Sequence, residues 1–420
     1  MYFSKNIIYV GILYNLGIYF LGFILQIVAL FNEKIRLGVK GRNETFKKLN
    51  QHLKKEDNTL WFHCASLGEF EQGLPVFKEL RTLYPNHKIV LSFFSPSGYE
   101  IRKNTDVADL VVYLPLDTKS NAKRFINLIK PELTIFVKYD IWPNMLNALN
   151  KRKLRAILIS ATFRKNQSYF KFYGSKTKKA LHTFEHIFVQ NKSSKTLANT
   201  LGLKNVTVAG DTRFDRVSNQ LNQDNTLDFI SNFKQDKLCV VIGSSWPEDE
   251  ELLIKFINNN QNLDVKYIIA PHNIKAAQIQ SITKKLNVET VLFSQKEGKL
   301  LSNYSVFVID TIGLLSKIYA YANIAYVGGA MGNTGLHNIL EPAVFGVPII
   351  IGSNYKNFPE AYEMIDNGGL ISIKNFNELE DKLQLLIENK DKRLQQGTLN
   401  FNFIKKNKGA VIQIINYIRK

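Results

Sequence analysis

From Ile7 to Phe31 the chain reads IIYVGILYNLGIYFLGFILQIVALF, without one formal charge. A helix over that run is about 37 Å long, more than the roughly 30 Å of a bilayer's hydrocarbon core. A cleaved signal peptide predicts a shorter apolar region ending in small residues, and neither holds. The run therefore reads as a membrane anchor. Asn15 and Gln26 keep two placements open, spanning the bilayer or lying in its interface. The bases that follow, Lys34, Arg36, Lys40, Arg42, Lys47 and Lys48, place the succeeding chain on the cytoplasmic side of an inner membrane.

Beyond residue 58 the pattern changes to short apolar runs alternating with amphipathic stretches. The runs are Thr59–Ser66, Lys88–Ser95, Leu110–Asp117, Leu133–Asp140, Leu154–Ala161, His186–Asn191 and Val206–Asp211. A polar stretch over 216–236 interrupts them. A second series follows at Leu238–Ser245, Val265–His272, Thr290–Gln295, Tyr304–Asp310, Ile324–Ala330 and Val347–Ser353. Such alternation predicts βαβ units on parallel sheets, hence an α/β fold of two doubly wound, Rossmann-like domains. The expected division is an anchor over 1–33, a first domain over 34–215, a linker over 216–236, a second domain over 237–395 and a basic helix over 396–420.

Composition narrows the partners. The 55 Lys+Arg against 36 Asp+Glu give a net charge of +19, and the excess is local. Residues 151–204 carry thirteen bases and a single acid, Glu185, and the last twenty residues add Lys405, Lys406, Lys408, Arg419 and Lys420. An anionic partner is implied: nucleic acid, acidic lipid or a phosphorylated substrate. Two cysteines, Cys64 and Cys239, sit far apart in apolar runs, which excludes a disulfide framework and a Cys-based zinc site.

In doubly wound sheets ligands bind beyond the carboxyl ends of strands, so the chemistry is sought there. After the first strand, Ser66-Leu67-Gly68 turn into a helix whose first turn holds Glu69. The helix dipole and exposed amides favour its ionised form, and its position suits a carboxylate that accepts a proton from a hydroxyl. Glu71 lies two residues further and should point elsewhere. His63 lies within the strand and is expected to be buried and hydrogen-bonded. In the second half, glycine and small polar residues crowd four strand ends: Gly243-Ser244-Ser245, Pro271-His272, Asp310-Thr311-Ile312-Gly313 and Gly328-Gly329. Together these loops favour a nucleotide phosphate. No GxxxxGK[ST], GxGxxG, DxD or CxxC spacing occurs, which disfavours a P-loop ATPase, a dinucleotide oxidoreductase and a metal site.

Ordered motifs then give the chain a family likeness. HCASLGE (His63–Glu69), SFFSPSGYE (Ser92–Glu100), YLPLD (Tyr113–Asp117), WPN (Trp142–Asn144) and GDTRFD (Gly210–Asp215) are joined by GSSWPEDEE (Gly243–Glu251), PHN (Pro271–Asn273), DTIGLL (Asp310–Leu315) and the long segment Tyr326–Phe358. In these the chain resembles the 3-deoxy-D-manno-octulosonic acid (Kdo) transferases of lipopolysaccharide synthesis.

The resemblance implies a GT-B glycosyltransferase, with two Rossmann-like domains facing across a cleft. It implies transfer of Kdo from CMP-Kdo to the lipid A precursor (lipid IVA), with inversion, without metal or cofactor and without an obligate protein partner. Glu69 matches the catalytic general base, and Arg213 is placed to offset charge developing in the transition state. Donor contacts carry over to Pro271 and His272, to Ile312, Gly313 and Leu314, and to Asn338, Ile339, Leu340 and Glu341, beside Gly243, Ser244 and Ser245.

Three departures from the family pattern stand out. Leu314 replaces a usual Glu, His272 replaces a usual Arg, and Lys138 and Asp140 alter the acidic pattern before WPN. Two other readings remain: a GT-B enzyme using a UDP-sugar on a lipid acceptor, and a non-catalytic basic membrane-binding protein. A nucleic-acid partner is disfavoured, because the basic block lacks an RNA-binding motif and follows a membrane-seeking helix.

Overall fold

The computed structural model describes residues 2–420, with side chains from Gly11 onward, so the side chains of Ile7–Val10 in the apolar run lie outside the description. The chain divides into two compact units, residues 1–216 with 408–420, and residues 217–407.

Unit 1 opens with helices α1 (Tyr2–Phe31) and α2 (Glu33–His52). Its strands are β1 (Thr59–Cys64), β2 (Lys88–Phe93), β3 (Leu110–Tyr113), β4 (Leu133–Val137), β5 (Arg155–Ala161), β6 (His186–Val189) and β7 (Val206–Val208). Between and after them lie α3 (Leu67–Leu83), α4 (Pro96–Arg102), α5 (Lys119–Ile129), α6 (Pro143–Lys151), α7 (Ser175–Leu181), α8 (Lys192–Thr200) and α9 (Thr212–Ser218). The sheet is parallel, in the order β3-β2-β1-β4-β5-β6-β7. Every residue of β1 is buried, as a central parallel strand covered on both faces requires. Side chains alternate between the two faces. Trp61 packs with Phe125, Phe136 and Leu146 on one side, and Phe62 stacks on Phe77 at 4.4 Å on the other.

Helix α1 is apolar and long enough over Gly11–Phe31 to cross a membrane. Only one stripe of it meets unit 1. Ile18 and Ala29 are buried, Tyr14 donates its hydroxyl to Asp117 at 2.8 Å, and Asn15 accepts from Asn144 at 2.9 Å. Ile12, Leu16, Tyr19, Phe20, Phe23, Ile27 and Leu30 are exposed.

Unit 2 holds β8 (Leu238–Ser245), β9 (Val265–Pro271), β10 (Thr290–Leu292), β11 (Val306–Val308), β12 (Ile324–Val327), β13 (Ile349–Ile351) and β14 (Leu370–Ser372). The sheet is again parallel, ordered β10-β11-β9-β8-β12-β13-β14. Its helices are α10 (Asp228–Lys234), α11 (Pro247–Asn259), α12 (Ala276–Lys285), α13 (Leu315–Ile318), α14 (Leu340–Ala343), α15 (Pro359–Asp366), α16 (Phe376–Glu388) and α17 (Lys390–Asn407). All thirteen apolar runs picked out in the sequence are strands. The short β14 was not anticipated.

Two segments differ from expectation. Residues 216–236 are not an extended linker: α10 forms there and buries Ile230 and Phe233. Residues 396–420 are not one basic helix. Gly409, at φ 115°, breaks the chain between α17, which belongs to unit 2, and α18 (Ala410–Ile418), which returns to unit 1. A positive φ of that size is cheap only for glycine. Helix α18 is apolar and buries Ala410, Ile414, Ile415 and Ile418 against the α3 side of the sheet. Its free amino end is satisfied by Asp215, whose carboxylate accepts from the Gly409 and Ala410 amides at 2.9 and 3.1 Å.

Replacing Asp215 with Ala removes that cap, at about 1 kcal/mol. Hydrogen exchange of residues 410–418 is expected to accelerate about fivefold for that loss, with exchange in β8 and β9 unchanged.

Candidate active site

Where the order of strands in a parallel sheet reverses, the flanking loops run to opposite faces and leave a crevice at the carboxyl edge. In unit 1 the chain runs outward from β1 through β2 to β3, then returns to place β4 on the other side of β1. The loop after β1 leads into Glu69 and the loop after β4 holds Lys138, Tyr139 and Asp140.

Glu69 is the third residue of α3, and Ser66 is the N-cap. The Glu69 carboxylate reaches back to accept from the Ala65 and Ser66 amides at 2.5 and 3.1 Å. This is the reciprocal arrangement of a capping box, which fixes the carboxylate's position to that of the backbone. Its ionisation differs from the expectation. Glu69 is only 5 % exposed, and its pKa is raised from the ordinary 4.5 to about 7. Burial is the largest cause and the Asp140 carboxylate adds to it, while the two amides and Lys138 act the other way. The dipole and amide contacts that predict an ionised carboxylate are present, and desolvation outweighs them.

Lys138 sits at φ 70°, held by its amide bond to the Ile159 carbonyl at 2.8 Å. Burial lowers its pKa and Glu69 opposes that shift. Asp140 accepts from the Trp142 indole at 2.8 Å and lies 2.7 Å from His63 Nε2. His63 is fully buried, as expected, with Nδ1 2.8 Å from Ser92 Oγ. Ser92 accepts from the Trp61 indole at 2.8 Å, and the Trp142 indole lies 3.0 Å from His63 Nε2. The chain Trp61–Ser92–His63–Asp140 thus aims one carboxylate from inside the sheet. Glu71 points away from Glu69, paired with Arg102 at 2.6 Å and Arg216 at 2.9 Å. Arg213 bonds Asp211 through Nε at 2.8 Å.

Unit 2 reverses in the same way between β8 and β12. The four loops picked out in the sequence follow β11, β9, β8 and β12, which are contiguous neighbours. The sheet therefore gathers all four at one edge. Gly243 is required by a close approach: a Cβ there would stand 1.9 Å from the Tyr319 hydroxyl. Ser244 has φ 54° and is half-buried. Asp249 stitches the reversal together, accepting from the Trp246 amide at 2.9 Å, the Gly329 amide at 2.8 Å and the Tyr326 hydroxyl at 2.8 Å.

His272 follows Pro271, which is buried at the end of β9. Its ring stacks on Trp246 at 4.7 Å and lies 4.4 Å from His337. Burial pushes the His272 pKa down, and burial with His272 beside it lowers that of His337 to about 4. Both rings are neutral at pH 7. Ile312 is 80 % exposed, and Gly313 after it has φ 90°. Leu314 is half-buried. Asn338 donates to the Glu341 carboxylate at 3.0 Å and accepts from the Leu340 amide at 3.2 Å.

Three expected donor residues are corrected in part. The Ser245 side chain is fully buried and donates to Glu250 at 2.9 Å, so it does not face a ligand. Ile339 and Leu340 are buried in the core, leaving only their backbone for contact. The sequence reading did not bring out Asp249, Trp246 and His337. A carboxylate three residues into a helix that leaves a glycine-rich strand end is the available signal. Among the described residues no group of three His, Cys, Asp or Glu is arranged to hold a metal ion.

Comparison with known proteins gives the same two-part picture. A family model described as 3-deoxy-D-manno-octulosonic-acid transferase matches residues 39–216. A 3-deoxy-D-manno-octulosonic acid transferase of Aquifex aeolicus is 30% identical over 346 residues, covering 80% of this chain and 88% of the relative. One from Haemophilus influenzae is 28% identical over 380 residues, covering 86% of each. Among solved structures, the UDP-GlcNAc 2-epimerase of Neisseria meningitidis, bound to UDP-GlcNAc, superposes with a TM-score of 0.61 at 15% identity, over 87% of this chain and 100% of that one. That likeness is one of fold, the two Rossmann-like units of the GT-B class.

Replacing Asp140 with Asn removes a negative neighbour and favours the ionised form of Glu69. Its carboxyl titration, followed by NMR, is expected to move below 7 and to stay above 4.5, because burial persists. A raised carboxylate pKa stabilises the fold at low pH, and that contribution is lost as pH rises from 4.5 through about 7. Glu69→Gln is therefore expected to be more stable than the parent at about pH 8, by up to about 3 kcal/mol, with the gap closing below about pH 5 in thermal melts.

Proposed function

The chain belongs to the 3-deoxy-D-manno-octulosonic acid transferase family, and on that premise we propose that it is an inverting glycosyltransferase moving Kdo from CMP-Kdo to the lipid A precursor, a phosphorylated and acylated glucosamine disaccharide. In this reading an acceptor hydroxyl attacks the anomeric carbon of Kdo. The new carbon–oxygen bond forms as the bond to the CMP phosphate breaks, and CMP leaves with the electron pair. Glu69 takes the hydroxyl proton. The reading needs neither metal nor cofactor.

The observation that carries it is the Glu69 carboxylate, fixed by two backbone amides at the reversal of the unit 1 sheet with its pKa near 7. A base is most effective when its pKa lies near the working pH, because it is then largely free and still proton-avid. Arg213, aligned by Asp211, is assigned to the charge that develops on the departing phosphate. The donor is assigned to unit 2, where Ser244, His272, Ile312, Gly313, Leu314, Asn338 and Glu341 remain accessible. Neutral His272 serves as a hydrogen-bond and stacking partner and not as a cation. Its replacement of a usual Arg is made good, on this reading, by the Trp246 ring on which it stacks. The working site is the cytoplasmic face of the inner membrane, with α1 and the basic surface of unit 1 against its anionic lipids.

Purified protein is incubated with lipid A precursor and either CMP-Kdo or a UDP-sugar, and the product is weighed by mass spectrometry. Transfer from CMP-Kdo alone is expected; transfer from the UDP-sugar alone overturns the reading in favour of another GT-B enzyme. Glu69→Gln is expected to bind donor normally and to lose about 10²- to 10⁴-fold in turnover, while the parent's rate falls on the acid side of a midpoint near 7.

A further inference from the structure

Glu69 stands at one end of a row of loops. Beyond β1 the unit 1 sheet continues β4-β5-β6-β7, so the loops after these strands line up beside it along one carboxyl edge. They carry Lys138 and Tyr139 after β4, Thr162 and Arg164 after β5, Gln190 after β6, and Asp211 with Arg213 after β7. Arg213 is bonded to Asp211, and Asp140 lies against His63 and Trp142. The cations of the two loops next to Glu69 have no such match. Among the described residues no carboxylate comes within ion-pair distance of Lys138 or Arg164, and the Lys138 ammonium has only the Tyr139 ring, 5.3 Å away.

The backbone holds both loops in unusual conformations. Lys138 has φ 70°, a region that residues with a Cβ rarely occupy, and its amide donates to Ile159 of β5 at 2.8 Å. β5 itself bulges between Leu158 and Ala161, with Ser160 at φ 51°, just before the turn to Arg164. Bulges re-aim the chain that follows them, and strained residues of this kind collect at ligand sites. Lys138 is half-buried, so its charge loses hydration without gaining a counter-ion. Burial, then the charges of Arg213 and Arg164, hold its pKa below the ordinary lysine value against the pull of Glu69 and Asp211, so the three cations share one field. Two uncharged groups repeat the pattern: Thr162 Oγ1 and Gln190 Nε2 are buried at the same edge with no protein partner.

We propose that Lys138 and Arg164 form an anion subsite that takes a phosphate monoester of the acceptor and holds its sugar beside Glu69. The inference rests on the proposed function and deepens it, by giving the acceptor's phosphate a place in unit 1. A phosphate monoester carries a charge of about −1.5 to −2 at pH 7, which two cations balance; a sugar carboxylate would leave one of them unmatched. Arg164 offers paired N–H donors to phosphate oxygens, and Lys138 a compact point charge. Lys138 is near enough to shift Glu69, so an anion on it keeps the attached sugar within reach of the base.

The test reads equilibrium binding of radiolabelled lipid A precursor, dispersed in uncharged detergent, to the full chain without donor. The same acylated disaccharide stripped of its phosphates is the control. The parent is expected to bind the phosphorylated form at least about tenfold more tightly. Arg164→Gln and Lys138→Met are each expected to weaken that binding about tenfold, with binding of the stripped form and of CMP-Kdo unchanged. Lys138→Arg is expected to recover most of the loss. Equal weakening of both forms, unchanged binding by the variants, or a parent that does not distinguish the two forms overturns the subsite. Weaker CMP-Kdo binding by either variant overturns it as well, assigning the cations to the donor. Arg164 is exposed, so its variant carries the test if Lys138→Met does not fold. No transfer is needed, so a parent that selects the phosphorylated acceptor yet moves no Kdo loses the proposed reaction and keeps the subsite.

Discussion

The carboxylate of Glu69 is pulled in two directions, and much of unit 1 is arranged around that opposition. Backbone amides at the start of α3 draw it toward ionisation and fix where it stands. Burial and the neighbouring Asp140 hold the proton on it. A base needs both: rigid placement, and a proton affinity that water alone would not give it. The parallel sheet supplies the setting, because only at the reversal between β1 and β4 do a helix start and a second acidic loop meet at one edge. Asp140 is aimed by a hydrogen-bonded line through His63, Ser92 and Trp61 that lies within the sheet itself. Core packing therefore sets the electrostatics of the site.

Unit 2 uses the same local device for a different end. Asp249 is the third residue of α11, after the strand that flanks the reversal, as Glu69 is the third residue of α3. Both accept the amide of the residue three positions back. Asp249 then spends its remaining capacity on Gly329 and Tyr326, and so ties the β8 loop to the β12 loop. With those partners it is a structural brace. Among the described residues Glu69 accepts from two backbone amides and from no hydroxyl, which leaves acceptor capacity on the carboxylate. One capping arrangement thus leaves a carboxylate with spare acceptor capacity in one sheet and makes a clasp in the other, and the number of additional donors decides which.

The strands were legible because buried parallel strands read as continuous apolar runs, and thirteen of them are marked by Val, Ile, Leu and Phe. β14, Leu370–Ser372, has three residues, too short for a pattern to stand out. The apolar face of α18 was hidden by the bases on either side of it, Lys408 and Arg419, so charge was read where packing governs. The segment over 216–236 looked like a linker from its Asn, Gln and Asp, yet Ile230 and Phe233 suffice to dock α10. The position of Glu69 followed from strand and turn alone, but its protonation did not. Burial depends on how β4 and its loop pack, and Asp140 is 71 positions away in the chain. For the same reason Ser245, Ile339 and Leu340 were placed among donor contacts by local motif, whereas their burial is a property of the finished core.

Charge acts in this protein at two ranges. The bases of residues 151–204 lie mostly on the surface, where salt at about 0.15 M screens them beyond roughly 8 Å. None of them is among the groups that shift Glu69, although Lys176 lowers the pKa of the buried Asp117 and Arg164 that of Lys138. The cation that shifts Glu69 is Lys138, itself half-buried, with its backbone at a positive φ and its amide donating to the Ile159 carbonyl. In low dielectric a single such charge outweighs many screened ones. The proton affinity of the site is therefore set by the few groups inside it and not by the net charge.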